Sequence, residues 1–111
     1  MGGISRRSFD QPDERIVGAD GSSTEIIAIS EGAMVMRSVM QPGWSWFEQF
    51  GEGQPGATCP MEHREVIVSG RIRYLTSDGT ELIGEPGDYL EIHPGHLAWV
   101  VGDEPCVAID W

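Results

Sequence analysis

The sequence predicts an all-β domain, a barrel or a sandwich, on three observations. Short apolar and β-branched runs recur along the chain. Glycine, proline and aspartate turn signals separate them at close, regular intervals. No window carries the apolar period of an amphipathic helix of useful length.

Taken in order, Met1–Glu14 is polar and reads as a loose arm or an edge segment. Asp20-Gly21-Ser22-Ser23 is a turn. Residues 1–23 therefore form an N-terminal arm or edge segment, and residues 24–111 the barrel domain. Thr24–Ser30 is a short apolar strand, and Glu31-Gly32 turns the chain into a second strand, Ala33–Met40. Side-chain alternation puts Met34, Met36, Ser38 and Met40 on one face of it. Gln41-Pro42-Gly43 stops that strand. Trp44 and Trp46 are two apart and share a face if the segment is extended. Gly51–Ala57 is a glycine-rich loop. Val66–Val68 and Ile72–Leu75 are strands around Gly70, and Ser77-Asp78-Gly79-Thr80 is a hairpin turn into Glu81–Gly84. Tyr89–His93, Leu97–Val101 and Cys106–Trp111 complete the series, separated by Pro94-Gly95 and by Gly102–Pro105.

With 111 residues the chain is one domain, long enough to bury a core without staples. The formal charge is −11, so nucleic acid is excluded as a partner: neutralising phosphates needs a basic patch. All seven basic residues are arginine, which rules out a Schiff-base or phosphate-loop lysine. No membrane partner is expected, because no apolar run is long enough to span a bilayer. No apolar segment follows Arg6 and Arg7 to make a signal peptide, so a soluble cytoplasmic protein is expected. Two cysteines are not a disulfide framework, although a Cys59–Cys106 bridge is a minor possibility.

The chemistry gathers in two clusters. Cys59-Pro60-Met61-Glu62-His63 precedes a β-branched run that closes on Ser69-Gly70-Arg71. Ile92-His93-Pro94-Gly95-His96 carries the other two histidines. These clusters resemble the two motifs of the cupin superfamily, and most closely those of the small single-domain cupins. With Gly70 as the closing glycine of motif one, His63 stands where the motif has glutamate, and Cys59 where it has its second histidine. The first histidine position is Ala57. Gly87 through Pro94-Gly95 fits motif two, but its histidine position falls on Ala98 and His96 comes two residues early. Gly43-Trp44-Ser45-Trp46, the Cys59/His63 pair, Ser69-Gly70-Arg71 and the run Pro94–Pro105 fit a subgroup of small cupins, so the resemblance spans Val35 to Trp111. It implies a cupin-type double-stranded β-helix, that is, a conical antiparallel β-barrel of jelly-roll type. It also implies a homodimer paired through an edge strand. No nucleophile elbow, phosphate-cradling loop or Cys-x-x-Cys competes with this reading.

On one straight strand, Cys59 and His63 would stand about 13 Å apart, too far to share an ion. Pro60 breaks the strand, so Cys59 can end one segment and His63 begin the next, with both side chains converging inside the barrel. His96, after the Pro94-Gly95 turn, can approach from the opposite hairpin. Cys59, His63 and His96 are thus the expected ligands of a divalent metal. Thiolate and imidazole donors favour zinc first and iron second over magnesium or calcium. Glu48, Glu65 and His93 are candidates for a fourth ligand, and Glu65 or Glu48 for proton transfer. Trp44, Trp46, Met36, Ile67 and Trp99 are expected to line a pocket for a small organic molecule. The function expected is metal-dependent lyase, isomerase, cyclase or dioxygenase-type chemistry, the alternative being a non-catalytic ligand- or metal-sensing module.

Overall fold

The computed structural model describes residues 3–51, 54 and 56–111. Within these, nine strands form two antiparallel sheets. The strands are β1 (Glu14–Val17), β2 (Ser23–Ala28), β3 (Met34–Met40), β4 (His63–Ser69), β5 (Arg71–Thr76), β6 (Glu81–Gly84), β7 (Tyr89–Ile92), β8 (His96–Val101) and β9 (Cys106–Asp110). The larger sheet runs β1-β2-β3-β9-β4-β7 and the smaller β6-β5-β8. Strands distant in sequence are neighbours in space, as β3, β9 and β4 are, so the chain winds between the two sheets. No helix among the described residues is long and apolar enough to cross a membrane.

Alternation along the strands sets which side chains fill the interior. In β9, Cys106, Ala108 and Asp110 are buried and the residues between them only partly so. In β5 the buried positions are Ile72 and Tyr74, and in β8 His96 and Ala98. Met40, Ile67, Ile72, Tyr74, Ile92, Ala98, Cys106 and Ala108 form one apolar cluster between the sheets. Each large aliphatic side chain there stabilises the fold by about 1.5–3 kcal/mol through removal from water. Polar side chains interrupt this interior where His63, Glu65, Asp110 and His96 gather; Ser22, Glu25 and Ser45 are buried as well.

The crossing from the larger to the smaller sheet depends on Gly70, between β4 and β5. Its φ is +72°, in the left-handed region, and a Cβ placed there would lie 2.2 Å from the Pro105 carbonyl oxygen. Only glycine fits both constraints. A β-bulge between Ile67 and Ser69 adds twist just before the crossing.

Two local expectations differ from the structure. The segment Trp44–Trp46 is not a strand: Ser45 makes a single bridge to Trp99, and Phe47–Gly51 then winds as one turn of π-helix. The Ser45 hydroxyl accepts the Glu48 amide N–H at 3.2 Å, which draws the chain out of the extended form. The first expected strand stops at Ala28, because Ser30–Gly32 forms a 3-10 turn with Glu31 at φ 64°. The N-terminal segment contains the edge strand β1, paired to β2 from Glu14↔Ile26 to Val17↔Ser23. Glu52, Gly53 and Pro55 of the expected loop, and Met1 and Gly2 of the arm, lie outside the described residues.

Candidate metal centre

Cys59 comes to the site through its backbone. Its amide N–H donates to the His96 carbonyl at 2.8 Å, and its own carbonyl accepts the Gly95 N–H at 2.8 Å. This antiparallel bridge joins the two histidine- and cysteine-bearing clusters. Between Cys59 and the start of β4, the segment Pro60–Glu62 has no strand pairing. Cys59 is bridged to His96 and His63 pairs with Ile92, so the chain keeps its direction but bends out of line between them, which brings His63 beside the thiol. The Cys59 Sγ to His63 Nε2 distance is 3.7 Å. Two ligands of one tetrahedral zinc stand about 3.5 Å apart, given bonds of roughly 2.0–2.3 Å. Cys59, His63 and His96 each offer a ligand atom, and the three atoms lie within 4.8 Å of one another.

Both histidines are oriented by their other ring nitrogen. His96 Nδ1 lies 2.8 Å from the His93 carbonyl oxygen. A carbonyl can only accept, so Nδ1 carries the proton and Nε2 keeps its lone pair for a ligand. His63 Nδ1 lies 2.5 Å from Asp110 Oδ2, which leaves Nε2 turned toward Cys59. A carboxylate behind a ligating imidazole fixes the ring and raises its basicity. The residues therefore fit a metal: one thiol, two imidazoles with correctly freed nitrogens, and outer partners for both rings.

The electrostatics agree with that arrangement. Burial acts to raise the Cys59 thiol, but His63, His96 and the Met61 backbone bring it down to about 6. Burial acts to lower His63, but its hydrogen bonds to Asp110 and Cys59 raise it to about 10. Without metal the pair is thus a thiolate beside an imidazolium at neutral pH. Cys106 is the opposite case: burial, helped by the Glu65 charge, pushes its thiol up to about 12. Both cysteines are free, so no Cys59–Cys106 bridge forms.

Glu65 is 4% exposed and sits directly opposite Asp110 in the β4–β9 register. With His63 these two carboxylates form a second close group of donors. Burial raises the Glu65 carboxyl, against the lowering effects of the Tyr74 hydrogen bond and the His63 charge. The Tyr74 hydroxyl donates to Glu65 Oε1. Burial, then the charge and hydrogen bond of Glu65, holds Tyr74 well above its ordinary value, so it remains a neutral donor.

These groups open onto a cavity of about 960 Å³. Met36, Trp44, Trp46, Glu48, Glu65 and all three candidate ligands line it. Two expected lining residues do not. Ile67 is 1% exposed and belongs to the apolar core beneath the cavity, against Gly84. Trp99 is out of phase with His96 and Ala98 on β8; it faces away and carries the Arg73 guanidinium over its ring at 5.4 Å. Glu48 is at the exposed rim, not beside the three ligands. His93 contributes its carbonyl, while its ring is exposed and pairs with Glu62 at 3.4 Å.

Asp110 and Tyr74 are the residues the sequence reading missed. The signal for Asp110 was present: an acid in phase with Cys106 and Ala108 on an inward face needs a partner. For Tyr74 the sequence carries a weaker signal: its phase with Ile72 gives its burial, not its bond to Glu65.

No protein-family model matches the chain, and no curated protein matches it significantly in sequence. Solved structures do resemble it. A sugar phosphate isomerase from a cupin superfamily, from Silicibacter pomeroyi, superposes with a TM-score of 0.65 at 18% identity, covering 96% of this chain and 73% of that one. The Drosophila melanogaster CENP-C cupin domain gives 0.58 at 16% identity, covering 87% and 69%. A DUF1255 protein of unknown function from Acinetobacter sp. ADP1 gives 0.62 at 16% identity, covering 88% of each chain. The chain has the cupin fold, a double-stranded β-helix built from antiparallel sheets.

Proposed function

We propose that this cupin holds one divalent metal through Cys59, His63 and His96, with zinc first and iron second, and acts on a small organic molecule bound in the cavity. The Cys-x-x-x-His pair is then this chain's variant of the first cupin motif. The observation that carries the reading is the convergence of three ligand atoms within 4.8 Å beside a buried carboxylate of raised pKa. A bound divalent ion would polarise a carbonyl or carboxylate of the substrate, or activate water or dioxygen.

The chain's own residues supply the rest. Glu65, buried and with its carboxyl raised above the ordinary value, is the proton-transfer group. Tyr74 donates to Glu65 and fixes the orientation of its carboxylate. Asp110 holds the His63 ring. Trp44 and Trp46 wall the cavity. The reaction class is metal-assisted proton transfer, as in a lyase, isomerase or cyclase, with dioxygenase chemistry if the ion is iron. Fold alone does not decide among these.

The test is a screen of the metal-stripped and the zinc- or iron-reloaded protein against small amino, hydroxy and keto acids, read by NMR. Turnover should require metal and fall by about 10²–10⁴ in Glu65→Gln. Turnover without metal, or an unaffected Glu65→Gln variant, would contradict the reading. Metal and ligand binding without turnover would instead identify a sensing module. The homodimer implied by the cupin resemblance would use the exposed β1 edge, where Ile16 is 53% and Val17 62% exposed; a monomer mass in sedimentation would exclude it.

A further inference from the structure

The charge of the cavity walls is predominantly negative; the metal-free His63 imidazolium is paired with Asp110. Among the described residues lining it there is no arginine, and the chain has no lysine. Three carboxylates line it: Glu48, Glu65 and Asp110. Three of the arginines are held in ion pairs away from it: Arg15 and Arg37 both pair with Glu25, and Arg73 pairs with Glu81. A divalent ion would be offset by the Cys59 thiolate and the Asp110 carboxylate, so even the loaded cavity has no net positive charge. A phosphate ester or polyanion entering it would meet a surplus of negative charge, with no guanidinium or ammonium lining the cavity and the His63 ring already paired with Asp110.

The entrance has a matching feature. Trp44, Trp46, Glu48 and Phe50 alternate along one segment, and all four line the cavity. The π-helical turn brings Trp46 and Phe50 together, with ring centroids 6.0 Å apart and the rings tilted by 39°. Indole and phenyl faces attract cations through their quadrupole, and a carboxylate among them adds direct charge attraction. Turns of π-helix occur often at functional sites.

We propose that the ligand of this site is a small organic cation or zwitterion, its ammonium-type head seated against Trp44, Trp46, Phe50 and Glu48, and its polar tail directed to the deeper donors. The proposal rests on the reading of this cavity as the ligand site, but the head-group selectivity does not require the metal. Choline and its neutral isostere 3,3-dimethylbutan-1-ol separate the two, because they differ in charge and scarcely in shape, and choline has only a weak metal-binding group. Inorganic phosphate serves as the anionic probe.

Binding of each probe would be followed by tryptophan fluorescence and calorimetry on the protein as purified and after chelation of metal. Choline should bind roughly tenfold more tightly than the alcohol, the size of a partly desolvated cation–aromatic contact. Phosphate should not bind to the chelated protein. The preference should shrink to about twofold in Trp46→Leu and in Glu48→Gln, the second being an exposed position where folding is not at risk. Equal binding of the isostere, tighter binding of phosphate in the chelated protein, or no choline binding at concentrations on the order of 10 mM would overturn the proposal. Zinc titration is run separately. Loss of choline selectivity with zinc binding intact removes the ligand class and leaves the metal centre; retained selectivity with no zinc binding does the reverse.

Discussion

Cys59 and His96 face each other across an antiparallel bridge, with backbone hydrogen bonds of 2.8 Å in both directions between Cys59 and the Gly95-His96 pair. The two clusters that carry the chain's site chemistry are therefore one structural unit. The backbone sets the thiol and the imidazole side by side, and the unpaired bend at Pro60–Glu62 adds His63. A site with this much backbone support is preorganised, since little conformational entropy remains to be lost on binding.

Asp110 should act on metal affinity through His63 alone. Asp110→Asn keeps the shape of the side chain but removes the charge facing Nδ1, 2.5 Å away. Metal affinity, measured by competition with a chromophoric chelator, should fall about 10–100-fold while the circular dichroism spectrum is retained. An unchanged affinity would show that the carboxylate does not tune the ring.

Metal uptake should release protons in a countable way. At pH 7.5 the Cys59 thiol, at about 6, is already ionised, whereas His63, at about 10, still carries its extra proton. Binding must remove that proton, so calorimetry in buffers of different ionisation enthalpy should count about one proton released per zinc from this pair. Below pH 6 the thiol proton is added and the count should rise. A value near zero at pH 7.5 would contradict the thiolate–imidazolium pair.

Glu65 should leave a signature in stability against pH. Burial raises its carboxyl in the folded chain above the ordinary 4.5. The folded state therefore binds this proton more tightly than the unfolded state, and the stabilisation is fully present below pH 4.5. It is lost as pH rises through the raised folded value. Glu65→Gln cannot titrate, so the stability of the wild type relative to it should decline from pH 4.5 upward in metal-free protein. Urea midpoints across that range give the answer; a difference that is flat or rises with pH would contradict the shift.

Gly70→Ala tests the crossing between sheets. The new Cβ would add left-handed strain and meet the Pro105 carbonyl, for a loss of about 2–5 kcal/mol. Thermal denaturation should show it directly, and a loss below about 1 kcal/mol would mean that the Pro105 segment moves aside freely.

Much of this fold was legible because alternation and turn chemistry agree along the barrel. The strands from β5 to β9 fall within a residue or two of the apolar runs that predict them. His63, His96 and Cys59 were legible for a different reason: Pro60 and Pro94-Gly95 mark where strands break as the chain passes between the sheets, and both breaks fall beside ligand-type residues. Trp44 and Trp46 misled because their spacing suits a strand, while the local bond from the Glu48 amide to Ser45 starts a helical turn. Trp99 was placed by nearness to His96 in sequence, yet one residue of strand phase puts it on the opposite face. Asp110 is 47 residues from His63, and their pairing depends on β9 lying beside β4, which no local pattern contains.

The central claim is that Cys59, His63 and His96 hold one divalent ion. Elemental mass spectrometry of the protein after equilibration with a small excess of zinc and gel filtration tests it most directly, with the Cys59→Ala/His63→Ala variant alongside. About one zinc per wild-type chain, and less than roughly a tenth of that in a folded double variant, is the result predicted for a three-ligand site. Zinc near zero in the wild type, or equal zinc in the variant, would contradict it.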